Sequence, residues 1–431
     1  MRMKLNKSSQ LALVAASSLL AATLVTACSQ ITQTLTVDFV YVASSKAAGA
    51  QSYGEINVFE IDSESGHMRQ IPASPFPSAG RNPVAETVSA DNEDLFVANQ
   101  DDNTIVQFVI GNDGKLYPKD TENSQGIYPL AIAANKANLF MLDTYQPLPT
   151  CSTAEPCSGS IGVFPLTTAT STVPVTMQTG LPINSCDGLE YVPLTLSGAA
   201  ASDIVVPTGL NILADGSALY VTAYDSTANT GYVYGYLIGS ASCTVNGQSA
   251  TITTLTPVPG SPFAVGVHPS AVGSDKSSSY VYVTDYAKAQ VLAYSVAPAT
   301  ASNHGELTQL SGSPYPAGNQ PSAIVVNQQY PYVYVTNSLD ATISAYQASN
   351  GALTSLGTYG TGLQPVAIGI DPSTARFLYT ANYLGNNVTA YELSPTTGTL
   401  VSSQYSPYSS NDQPTAVAAI PHNGTGGGVQ Q

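Results

Sequence analysis

The sequence predicts an all-β fold, a closed ring of seven four-stranded units. Three observations carry that expectation. A short phrase rich in Tyr, Val, Phe and Thr recurs seven times, a Pro-led apolar run precedes most copies, and the chain opens and closes on complementary parts of one unit. A recurring internal phrase constrains the fold before any single residue does.

The phrase begins at Phe39, Leu95, Leu139, Leu219, Tyr280, Tyr332 and Phe377. Its fullest form is Tyr332-Val333-Tyr334-Val335-Thr336-Asn337. Such residues suit a pleated, half-buried surface. Five of the seven copies end in Asn or Asp, residues that turn a chain after a strand. The Pro-led runs begin at Pro83, Pro129, Pro207, Pro269, Pro321, Pro365 and Pro414. Proline is tolerated at the first residue of a strand, where its missing N–H lies outside the ladder. A third strand is expected at 54–61, 104–110, 290–296, 341–347 and 387–393, and a weaker, polar fourth at 114–117, 305–310, 351–356 and 398–402. Four strands per unit, at spacings of roughly 45 to 60 residues, fit one propeller blade. The expected architecture is therefore a seven-bladed β-propeller over 37–421, with an insertion at about 146–206 between blades three and four.

The chain enters on a second strand at Phe39 and leaves on a lone first strand at 414–420. The C-terminal strand should complete the N-terminal blade and remove the open edge. Two β-sandwich domains would also show regularly spaced strands. They would not explain the lone strand or the paired phrases.

Residues 1–28 stand apart. Arg2, Lys4 and Lys7 precede an apolar run from Leu11 to Val25, too short for a comfortable membrane span. The run ends in Leu24-Val25-Thr26-Ala27-Cys28. This resembles the bacterial lipoprotein signal, in which a peptidase cuts before a cysteine that carries acyl chains. The resemblance implies lipidation at Cys28, a tether at 29–36 and a protein held at a bilayer surface of the cell envelope. Ser29 after the cysteine resembles outer-membrane sorting in Gram-negative lipoproteins. A plain secretory signal is the alternative. The stretch 422–431 reads as a tail.

The segment before Cys28 holds three of the twelve Lys and Arg and none of the 28 Asp and Glu, which leaves a formal charge of −19 beyond it. That excludes a basic nucleic-acid face and disfavours anionic ligands. Cys151, Cys157, Cys186 and Cys243 follow Cys28, and an even number in an exported chain points to disulfides. Cys151–Cys157 would close a small loop and Cys186–Cys243 would tie the insertion to blade four; other pairings remain open. Zinc would want closer cysteine pairs.

The chain has no Trp, unlike Trp-marked propellers. Asn350-Gly351-Ala352-Leu353 and Thr397-Gly398-Thr399-Leu400 precede fourth strands. Ser-Pro-aromatic recurs at Ser74-Pro75-Phe76, Ser261-Pro262-Phe263, Ser313-Pro314-Tyr315 and Ser406-Pro407-Tyr408. With the 332–337 phrase, these features resemble the Tyr-Val-Thr-Asn repeat propellers and the wider lactonase-like seven-bladed family. That family includes 6-phosphogluconolactonase, muconate-lactonising enzymes and members of no established activity. The resemblance implies that active members work through His, Arg and Glu at one mouth of the central channel.

Residues just before each first strand and just after each second strand are expected at that mouth. The first group is Arg81, Asn82, Tyr128, His268, Gln320, Gln364 and Gln413. The second is Asn99, Asp143, Asp285, Asn337 and Asn382. Such a ring fits a polar neutral ligand, a sugar or lactone. Lactone hydrolysis needs a base and an oxyanion partner. His268 is the candidate base and Arg81 the candidate partner, with Glu86, Asp143 or Asp285 to orient them. His268 could equally be only the residue before a strand-opening proline, and Arg81 half of a surface ion pair. Four His and three Arg beyond the signal are too few for a full family-like cluster. The leading expectation is a ligand-binding or interaction module. A lactone hydrolase and an envelope adhesion protein are the alternatives. No cofactor is expected. Nor is a metal, because the acidic run 91–94 lacks the oxygen spacing of a calcium loop. The expected partners are the membrane, through the lipid anchor, and a small ligand or an envelope protein. Nucleic acid is not among them, and a monomer is expected.

Overall fold

The computed structural model describes residues 36–48, 52–62, 64–152, 154–167, 175–196 and 203–422. Cys28, most of the tether and the tail from 423 lie outside these residues. Seven antiparallel sheets form, and no helix occurs among the described residues. The innermost strands are Pro83–Val88, Ile127–Ala134, Val205–Ile212, Pro269–Ser274, Pro321–Val326, Pro365–Ile370 and Pro414–Pro421. Each touches the next around a complete circle. This is the seven-bladed β-propeller.

Closure is by the last strand. Pro414–Pro421 pairs antiparallel with Thr36–Ala48, from Asp38 opposite Pro421 to Ser44 opposite Pro414. Tyr53–Asp62 and Met68–Gln70 complete that first blade.

The phrase residues pack between blades. Its inward aromatics are Tyr41, Phe96, Phe140, Tyr220, Tyr282, Tyr334 and Tyr379, all fully buried. Several reach the next blade's outer turn. Tyr220 Oη donates to Gly305 O at 2.6 Å and Tyr334 Oη to Gly398 O at 2.8 Å. Gly398 sits at φ +68°, and a Cβ there would overlap the Tyr332 ring. Glycine is required on both counts, which accounts for the glycine before the fourth strands.

The Ser-Pro-aromatic copies also have a structural role. All four Ser–Pro bonds are cis. Each serine Oγ accepts a backbone N–H of its blade's third strand, from Val58, Gly235, Ala293 and Ala390, at 2.8 to 2.9 Å. The aromatic then opens a two-residue strand on the same third strand, as Phe76–Pro77 does against Glu55 and Ile56. The motif satisfies donors that would otherwise lack a ladder partner.

The stretch expected as an insertion contains blade three's outer half. Ser160–Pro165 pairs with Asn138–Tyr145, and Tyr191–Pro193 pairs with Ser160 to Gly162. Their spacing is stretched by intervening loops, which hid them from the repeat. Both expected disulfides form, Cys151–Cys157 and Cys186–Cys243. The second fastens this region to the long third strand of blade four, Thr230–Val245.

Candidate ligand site at the channel mouth

The mouth is built from a slip in pairing. In all seven blades the register shifts by one residue just after the inner strand's proline, which opens the strand in five of them. In four blades the bulged residue is Ser or Thr, and its hydroxyl donates to the next blade's proline carbonyl. Thr208 reaches Pro269 O at 2.7 Å, Ser270 reaches Pro321 O at 2.6 Å, and Ser322 reaches Pro365 O at 2.7 Å. Thr415 reaches Pro83 O at 2.7 Å. These bonds fix one inner strand against the next at the level of the mouth.

The residue before the proline forms the rim. Asn82, Tyr128, Gln320, Gln364 and Gln413 adopt φ of 53 to 60° there, uncommon for side-chain-bearing residues. Each carbonyl is held by the residue one beyond the end of the phrase. Gln100 N binds Asn82 O at 2.9 Å, Tyr286 N binds His268 O at 2.8 Å, and Ser338 N binds Gln320 O at 2.9 Å. Tyr383 N and Ser45 N bind Gln364 O and Gln413 O at 2.8 and 3.0 Å. In blade three Thr144 Oγ1 binds Tyr128 O at 2.8 Å. All these rim residues are half-buried.

Asn99, Asp143, Asp285, Asn337 and Asn382 are not on the rim. They are fully buried, one layer beneath it. Each lies under a glycine three residues before the proline: Gly80, Gly126, Gly266, Gly318 or Gly362. A Cβ on any of these would overlap the Asn or Asp side chain. Where that position is Ile204 or Asn411, the phrase ends instead in Ala223 or Ser44. The pairing of glycine with Asn or Asp was legible as a sequence pattern, and its cause is steric. In two blades the side chain braces the loop. Asp285 accepts N–H groups of Val267, His268 and Ala287 at 2.9, 3.1 and 3.1 Å, and Asn337 Oδ1 accepts Gly318 N at 3.0 Å.

Arg81 is exposed and engaged. Its Nε donates to Asp102 Oδ1 at 2.6 Å and its backbone N–H to Asp102 Oδ2 at 2.7 Å. Asp102 holds the guanidinium pKa above its ordinary value. His268 stands three blades away, with its ring between Tyr224 and Tyr286 at centroid distances of 4.0 and 5.3 Å. Partial burial lowers the imidazole pKa, opposed by Asp285. Among the described residues no hydrogen bond joins His268 to Arg81, and neither is bonded to Glu86.

Glu86 faces blade one. Both carboxylate oxygens are buried without a hydrogen-bond partner, although backbone groups of Ala418 and Ala43 are close enough to favour the anion. Burial dominates and pushes its pKa up to about 8. The equivalent positions in the other blades hold Ile132, Leu210, Val272, Ile324, Ile368 and Val417. Burial likewise pushes Asp143 up to about 8, against a weaker effect of Ser124. The expected catalytic constellation is therefore dispersed: Arg81 on the outside, Asp143 and Asp285 below the loops, Glu86 between blades.

The rim residues that the motif reading missed are Gln100, Thr144, Tyr224, Tyr286, Ser338 and Tyr383. All occupy the position immediately after the phrase ends, one residue beyond where the site was sought. Tyr145 joins Tyr128 edge-on at 6.1 Å.

Residues 300–418 match a family model described as lactonase, 7-bladed beta-propeller. No curated protein matches the chain. Solved structures with the same fold include a candidate 6-phosphogluconolactonase from Bacteroides fragilis, 18% identical with a TM-score of 0.65, over 90% of this chain and 99% of that one. Another, from Bacteroides uniformis, is 17% identical with a TM-score of 0.62, over 90% and 100%. The periplasmic gluconolactonase of Pseudomonas aeruginosa is 18% identical with a TM-score of 0.59, over 89% and 99%.

Proposed function

From a chain whose residues 300–418 match the lactonase seven-bladed propeller family, we propose a lipid-anchored envelope module that binds an uncharged polar ligand at the channel mouth. One observation carries this reading. The rim offers amides, hydroxyls and aromatic rings, while the nearby guanidinium is engaged by Asp102 and Asp143 and Asp285 are buried beneath glycines. Hydrolysis would need a base and an oxyanion donor converging on one carbonyl, and His268 and Arg81 belong to blades five and two.

The test is a lactone panel on residues 29–431, including D-glucono-1,5-lactone and its 6-phosphate. Ring opening is expected to stay at the spontaneous rate, in the parent and in His268→Ala alike. Enzymatic turnover that His268→Ala abolishes would establish the second reading, a lactone hydrolase. That reading is favoured by the imidazole of His268 at the rim, which has no hydrogen-bond partner among the described residues.

Anchoring is supported by the position of Cys28 directly after the apolar run and by two disulfides, which suit an oxidising compartment. Cells expressing the full chain are expected to incorporate a palmitate analogue into it. Label that persists in Cys28→Ser would contradict the anchor.

A further inference from the structure

The rim is unequal around the ring. Blades three to five place rings on it, with Tyr128 against Tyr145 and His268 between Tyr224 and Tyr286. The remaining blades place mainly amides and hydroxyls there, such as Gln320, Ser338, Gln364, Gln413 and Ser45, with Tyr383 of blade seven as an exception. Among the described residues the side-chain amides of Gln320 and Gln364 have no hydrogen-bond partner, whereas Gln413 Oε1 accepts Ser45 Oγ at 3.3 Å.

We propose that Tyr224, His268 and Tyr286 form a stacking subsite for the apolar face of a neutral, non-phosphorylated sugar ring, whose hydroxyls bond the free amide of Gln320 on the next blade. The proposal rests on the ligand-binding function and narrows its ligand to a carbohydrate.

The chemistry runs by elimination and by fit. An anion would meet a formal charge of −19 beyond Cys28; Arg81 is held by Asp102, which leaves only the exposed Lys288 in the loop after Tyr286. A quaternary ammonium would favour an aromatic cage with a carboxylate beside it, but the carboxylate of this blade, Asp285, is buried and bonded to three backbone N–H groups. A sugar ring presents C–H bonds on one face and hydroxyls at its edge. The negative face of an aromatic ring attracts the C–H groups. A hydroxyl taken from water needs a partner or costs its desolvation, and the proposal assigns that role to the unengaged amide of Gln320 on the adjoining blade. The contact with Tyr224 at 4.0 Å holds His268 as part of the platform.

The chain has 26 tyrosines, most of them away from the rim, so binding is read on the ligand. The mature chain is titrated with methyl α-D-glucopyranoside, methyl β-D-galactopyranoside, N-acetylglucosamine and their short oligomers, by calorimetry and saturation-transfer NMR. At least one is expected to bind, with saturation transfer strongest to its C–H face. Tyr224→Ala and Tyr286→Ala should each weaken it about tenfold, Gln320→Ala less, and Tyr286→Phe little. Thermal melts confirm that each variant folds. Binding that both alanine variants leave unchanged overturns the subsite, as does a parent protein that takes choline or 6-phosphogluconate but no neutral sugar. Lactone turnover would refute the binding-module reading while leaving the stacking result to stand or fall on the Tyr variants.

Discussion

Ending the chain at Ser410 is expected to abolish cooperative folding. The missing strand, Pro414–Pro421, is the innermost strand of blade one and pairs along Thr36–Ala48. It also contacts Pro83–Val88 on one side and Pro365–Ile370 on the other. Its loss uncovers Phe39, Val40, Tyr41 and Val42, each at most 4% exposed, and removes buried Ile420 and Ala416. Each fully buried large apolar side chain contributes roughly 1.5–3 kcal/mol. Several together match the roughly 5–15 kcal/mol that separates folded from unfolded domains. The hydrogen bond from Thr415 to Pro83 O disappears as well. Circular dichroism melts and limited proteolysis read the outcome, and residues 411–431 supplied as a separate peptide should restore part of the transition. A truncated chain that melts cooperatively within a few degrees of the parent would mean that the ring does not depend on this closure.

Stability should fall as pH rises from about 5 to about 8, because buried carboxyls hold protons that the unfolded chain releases. Glu86 and Asp143 have ordinary values of 4.5 and 3.8 and are pushed up to about 8 in the fold. Asp38, at the seam of blades one and seven, is raised by burial and by neighbouring Asp371. Between the unfolded and folded values the native state binds more protons than the unfolded state, so its stability declines with pH and levels off above the folded values. Each such group is worth on the order of a few kcal/mol at pH 8.5. Glu86→Ile, which places in blade two the kind of residue found in the others, should remove one share of that slope. It should exceed the parent by on the order of 2–4 kcal/mol at pH 8.5, with the gap narrowing toward pH 5. Urea unfolding at pH 5, 7 and 8.5 measures it. A variant weaker than the parent at pH 8.5, or a gap that does not change with pH, would show that the carboxylate is stabilised by a partner when charged.

The blade pattern was legible because strand-forming residues recur at fixed offsets. Tyr332-Val333-Tyr334-Val335 announces a buried strand by composition alone, and Pro321 marks the start of the strand beside it. Blade three was harder. Its outer strands, Ser160–Pro165 and Tyr191–Pro193, are separated by loops and carry no phrase. The rim of the mouth was legible to within one residue. The turn-forming Asn and Asp at the phrase ends drew attention, yet the shift in pairing after each proline carries them under the loop and lifts the next residue to the rim. Tyr224 and Tyr286 each stand one position past the end of a repeat copy, a regularity visible in the chain. Nothing local, however, distinguishes a fully packed tyrosine from a half-buried one at the rim.

By itself the sequence determined the ring, the number of blades and the closing strand. These arise from local preference and repetition, which are written along the chain. Only the tertiary structure decided which side chains share the mouth. That depends on a one-residue bulge, a glycine with no room for a Cβ, and the meeting of blades distant in sequence. It separated His268 from Arg81, buried Glu86 against blade one, and placed two tyrosines around an imidazole.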